Sequence, residues 1–124
     1  MDVRIIDNET SVIAIRGELS SLYESTLMDA YARACAPTSG ATTDTDARRS
    51  PTTIIFDFTQ MNYMNSSGIG LLVTLLIRMN RLKQRMLAFG LSEHYQQIFA
   101  ITRLDEAIGV FDSESEAVAA AVRR

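Results

Sequence analysis

The sequence predicts an α/β domain in which a mixed, largely parallel sheet of four to five strands is flanked by about four helices. Three observations predict it. Short β-branched and aromatic runs alternate with stretches carrying apolar residues at helical spacing, in the order β-β-α-β-α-β-α-β-α. Only the first two strands are separated by a short polar turn, Asp7-Asn8-Glu9-Thr10-Ser11, so one antiparallel hairpin joins an otherwise parallel arrangement with crossover helices. The chain has 124 residues, of which 47% are hydrophobic and 22% charged, enough for one domain, residues 1–124, with one core.

Val3 and Ile5, then Val12, Ile13 and Ile15, place the hairpin strands at about 2–7 and 11–16, and Gly17 is expected to end the second. Ser20 or Ser21 can cap the next helix, with Glu24 three residues after Ser21 as capping-box partner. Leu22, Tyr23, Leu27, Ala30, Tyr31 and Ala34 recur at helical spacing to about Cys35, and Pro37 stops the run. Residues 36–51 carry no large apolar side chain, so they read as a polar insertion that cannot cover a core. Its Thr, Ser, Arg48 and Arg49 also admit a partner-binding or phospho-acceptor role.

Residues 52–58 form a short apolar run, rich in β-branched and aromatic residues, that suits a central strand covered on both faces. Thr59-Gln60 reads as a turn, followed by the corner Met64-Asn65-Ser66-Ser67-Gly68-Ile69-Gly70 and a helix from about Ser67 to Leu82. Residues 85–89 form the next strand, closed by Gly90. Ser92 caps a helix bearing Tyr95, Ile98, Phe99 and Thr102. A brief strand follows at 109–111. Ser113 with Glu116 forms a second capping box for a last helix that packs Ala117, Val118, Ala121 and Val122 and ends in Arg123-Arg124.

Several function classes find no support. A net charge of −3 and a pI near 5.1 argue against nonspecific nucleic-acid binding, which needs clustered lysine and arginine. The single cysteine, Cys35, allows no internal disulfide and suits a reducing cytoplasm. The N-terminus enters a strand directly and has no signal-peptide pattern. The longest apolar stretch, residues 69–77, is far short of the ~20 residues that span a bilayer. His94 is the only histidine and has no nucleophile–base pair to complete. Gly68-Ile69-Gly70 lacks the third glycine of a dinucleotide turn, and no phosphate-binding loop of the G-x-x-x-x-G-K type occurs. We therefore expect no enzyme activity, no cofactor and no metal.

The corner is where small hydroxyl residues and glycines concentrate between two hydrophobic elements. At about 100° per residue, Ile69, Leu72, Val73, Leu76 and Met79 are expected to face the core. Leu71, Thr74, Leu75, Ile77, Arg78, Arg81 and Leu82 then fall on the other side. Either another segment covers those leucines, or they are apolar anchors with an arginine rim for a partner. Ser66 and Ser67 can each cap the helix. A serine here also suits a switch, because a phosphate adds about −1.5 to −2 charges at the end the helix dipole makes positive.

Gly17-Glu18-Leu19 after a strand, the corner Asn65-Ser66-Ser67-Gly68-Ile69-Gly70, and Gly90-Leu91-Ser92 between strand and helix resemble the STAS domain. The resemblance covers nearly the whole chain apart from residues 36–51. It implies a mixed sheet flanked by helices and the role of an anti-sigma factor antagonist. Such a protein binds an anti-sigma factor, itself a serine kinase; phosphorylation blocks binding and a phosphatase restores it. The phosphorylated position falls on Ser66. The docking surface implied comprises Asn65, Ser66, Ser67, Gly68, Gly70, Leu71, Thr74, Leu75 and Arg78. The family usually has aspartate where this chain has Asn65, and often where it has Ser20. The alternative reading is a STAS scaffold that is not phosphorylated, or an accessory subunit of a stress-signalling or transporter complex.

Overall fold

The computed structural model describes residues 1–7, 9–35 and 51–122, and the expectation for 36–51 therefore falls almost wholly outside the described residues. Five strands form one sheet in sequence order, β1-β2-β3-β4-β5. They are β1 (Asp2–Asp7), β2 (Thr10–Leu19), β3 (Thr53–Met64), β4 (Arg85–Phe89) and β5 (Gly109–Phe111). The helices are α1 (Glu24–Ala34), α2 (Ser66–Arg81), α3 (Glu93–Ile101) and α4 (Glu114–Val122). β1 and β2 pair antiparallel, and every later pairing is parallel. The mixed, largely parallel sheet is the one the alternation of strand and helix predicts.

Alternate residues of the central strands face opposite ways, as strand geometry requires. Ile13, Ile15, Ile54, Phe56, Phe58, Met86 and Ala88 lie in the main core with Leu27 and Tyr31 of α1, Leu72 and Leu75 of α2, and Tyr95 and Phe99 of α3. Val12, Ile55, Leu87 and Phe89 face the other way, against Ala117 and Ala121 of α4. Three helices thus cover one face and one helix the other.

Two strands are longer than their sequence suggests. β2 continues through Gly17, which takes φ +72° where its pairing with β3 shifts register. Glycine adopts that conformation without steric cost, so the expected stop is a bulge within the strand. β3 likewise runs through Thr59-Gln60, the expected turn, to Met64. Its pairing with β4 ends at Asp57↔Phe89, while its pairing with β2 continues to Leu19↔Met64. Residues 59–63, exposed except for half-buried Met61, therefore lie on a two-stranded extension. That extension carries the corner.

The first helix also starts later than expected. Ser20 accepts the Leu22 N–H and caps a short 3-10 turn, Ser21–Tyr23, and α1 begins only at Glu24. In contrast, β4 and β5 fall where the sequence puts them, and Ser92 caps α3 through the Tyr95 N–H as expected.

Candidate functional site

Asn65 is the cap of α2. Its backbone is extended, and its Oδ1 accepts the Gly68 N–H at 3.0 Å and the Ser67 hydroxyl at 2.6 Å. Neither serine is the cap, contrary to expectation, because a cap must precede the first helical residue and Ser66 is already helical. Ser67 instead joins two elements. Its Oγ accepts the Ser21 N–H at 2.9 Å, tying the 3-10 turn after β2 to the start of α2. Behind the corner, the Met64 N–H donates to the buried Tyr95 hydroxyl at 2.9 Å, so α3 fixes the end of β3. Close by in sequence, the Ser20 hydroxyl donates to Glu18 at 2.6 Å.

Ser66 differs from its neighbour. It is exposed, and its hydroxyl makes no hydrogen bond to another described residue. Of the two serines, one is consumed by the fold and one is presented to solvent.

Gly68 sets the rotation of α2. It is buried, and a Cβ there would run into the Leu19 carbonyl and the Met64 side chain. The helix therefore turns its Gly68 side towards the end of β2. Leu71 and Leu75, which share that side, are 7% and 0% exposed. This corrects their assignment as exposed docking anchors: both belong to the core with Leu72, Leu76 and Met79. Val73, expected in the core, is exposed, and Ile69 is half-buried. The apolar residues of this helix occupy so much of its circumference that periodicity leaves the centre of the buried arc undecided. Gly68 decides it, and it is the signal in the sequence that could have placed the face.

The outward sector holds Ser66, Gly70, Val73, Ile77 and Arg81, all within roughly 80° of arc. Ile77 is 51% exposed. Thr74 and Arg78 flank this sector; the Thr74 hydroxyl is turned back onto the Gly70 carbonyl at 2.9 Å. Arg78 and Arg81 suit the negative end of the helix, and neither has an ion-pair partner among the described residues. Beside the start of α2, Leu22 on the 3-10 turn is 82% exposed and Tyr23 is also exposed. At Gly70 an added Cβ would meet no atom within 4 Å. A glycine inside a helix costs about 0.5–1 kcal/mol relative to alanine, and here no contact with another described residue requires it.

The structure thus brings Asn65, Ser66, Ser67 and Gly68 into one turn and places Gly70, Thr74 and Arg78 on its outward continuation. Leu71 and Leu75 point away from them. Val73, Ile77, Leu22 and Tyr23 are among the exposed apolar residues that the predicted site omitted.

A family model described as the STAS domain matches residues 1–117. The chain belongs to the STAS domain family. Over 60 residues this STAS domain is 32% identical to the anti-sigma-B factor antagonist of Listeria monocytogenes, the match covering 48% of the chain and 53% of that protein. The matched region thus spans about half the length of that curated relative. Among solved structures, the unphosphorylated form of the anti-sigma factor antagonist SpoIIAA superposes with a TM-score of 0.68 at 22% identity, covering 98% of this chain and 96% of that one. The phosphorylated form of this Bacillus cell fate determinant gives 0.63 at 23% identity, covering 98% of each chain. A sulfate transporter family protein of Wolinella succinogenes gives 0.71 at 16% identity, covering 96% and 89%. At these identities the structural matches carry the fold. No helix among the described residues of the STAS domain is long and apolar enough to cross a membrane.

Proposed function

We propose that this STAS domain is an anti-sigma factor antagonist of the cytoplasm, which binds an anti-sigma factor serine kinase and is released from it by phosphorylation of Ser66. The observation that carries the reading is the division of labour between the two serines. Ser67 is held by Ser21 and Asn65, whereas Ser66 stands exposed at the first position of α2 with its hydroxyl unbonded to any described residue. A kinase therefore meets one serine and not the other. The anti-sigma-B factor antagonist of Listeria monocytogenes supports the same role.

Phosphate at Ser66 would sit where the helix dipole favours negative charge, so it should leave the fold standing. Its effect falls on the partner, since like charge at an interface costs several kcal/mol. A phosphatase that removes it restores binding. The test is binding of the purified kinase to wild type, Ser66→Ala and Ser66→Asp, with mass spectrometry after incubation with ATP. Wild type and Ser66→Ala should bind, Ser66→Asp should not, and the modification should map to Ser66. A complex that forms while Ser66 stays unmodified would remove the switch.

That outcome would favour a second reading, an unphosphorylated STAS scaffold or an accessory subunit of a stress-signalling or transporter complex. Asn65 is the observation on its side: the cap beside Ser66 is neutral, whereas the resemblance leads one to expect a carboxylate.

A further inference from the structure

We infer that Gly70 is the point of closest approach between this domain and its kinase partner, and that the partner segment crossing it is acidic. The inference rests on the functional reading above and adds the chemistry of the occupant. Gly68 and Gly70 are both in α2, but among the described residues only Gly68 answers to a contact. Gly70 lies on the exposed sector, has no positive φ, and makes room for no other described residue by lacking a side chain. A missing side chain that the fold does not need serves a neighbour that must come close to the helix backbone.

The surroundings define that neighbour. Val73 and Ile77 continue the sector and offer apolar contact. Arg78 and Arg81 then present two guanidinium groups without a carboxylate among the described residues, in a chain whose net charge is −3. The complementary surface has a small residue or bare backbone over Gly70, apolar side chains along Val73 and Ile77, and carboxylates about 12–16 Å further along the axis. Ser66 lies one turn before Gly70, about 6 Å along the same sector. A phosphate there fills the space the partner backbone enters and adds negative charge against an acidic segment. Steric block and repulsion then act at one place.

Calorimetric titration of the purified anti-sigma kinase into wild type, Gly70→Ala and the double variant Arg78→Glu/Arg81→Glu tests this, together with thermal melts of each domain alone. Gly70→Ala should melt about 2–4 °C higher yet bind ~10-fold or more weakly. The arginine double variant should bind more weakly and lose most of its salt dependence. A Gly70→Ala domain that binds like wild type, or that melts lower, overturns the close approach. Unchanged affinity and salt dependence in the arginine variant overturn the acidic occupant. If wild type binds no such kinase, the functional reading fails and the assigned occupant fails with it, whatever Gly70→Ala does to the melt.

Discussion

At Gly68 even a methyl group would run into the Leu19 carbonyl, which is backbone and cannot swing aside. Gly68→Ala should therefore destabilise the domain by about 1–3 kcal/mol, measured by urea denaturation, in contrast to the gain expected from the same change two residues later. Leu75 makes the complementary case. It is fully buried, so Leu75→Ala should cost about 2–5 kcal/mol and show as a lower denaturation midpoint. The place of the corner was legible in the residues, because paired serines and close-spaced glycines mark the passage from a strand to a helix. The role of each residue was not. Which serine is free and which oxygen caps the helix depends on Ser21, distant in sequence, reaching Ser67.

Among the elements, β4, β5 and α3 have the positions their patterns predict, since their strands are short, apolar and closed by clear turn or cap residues. β3 and α2 depart from expectation for one shared reason: coverage is a property of neighbours. The end of β3 is largely exposed because only β2 flanks it, and the orientation of α2 is decided by a contact with β2. The attachment of α4 can be tested electrostatically. Arg4 of β1 makes two hydrogen bonds to Glu114 at 2.8 and 2.9 Å. That hydrogen bonding lowers the Glu114 carboxyl below its ordinary 4.5, and burial opposes it. A lowered folded value means that the contribution is full above 4.5 and lost as pH falls through the folded value. Both side chains are well exposed, so the pair is worth no more than about 1 kcal/mol. Glu114→Gln should melt slightly lower than wild type at pH 7, and the difference should vanish in melts taken well below pH 4.5.

For the molecule as a whole, the order of elements carried the most information. Right-handed crossovers that always step in the same direction across a sheet place their helices on one face. The sheet advances uniformly from β1 to β5, and α1, α2 and α3 accordingly share one face. The opposite face is left to α4, whose buried contacts are mostly alanine. Docking of α4 is thus the weak point of the layered structure. Ala117→Asp should undock it, uncover Val12, Ile55, Leu87 and Phe89, and give strong binding of a hydrophobic dye with the strands still visible by circular dichroism.

The side chain of Gln84 has a practical consequence. It is buried and accepts the Tyr31 hydroxyl at 2.6 Å, and burial is the first cause that pushes that phenol up to about 12. Its amide nitrogen donates to the Pro51 carbonyl at 2.9 Å and contacts the Cys35 sulfur at 3.7 Å. One nitrogen thus contacts both Cys35 and Pro51, so the two described residues that bracket positions 36–50 are brought close together. The cost of closing a longer excursion there rises only by about 0.6 kcal/mol per doubling of length. A fluorescent reporter could therefore be spliced into this stretch, leaving both chain ends and the Ser66 corner unmodified for following the domain in a living cell.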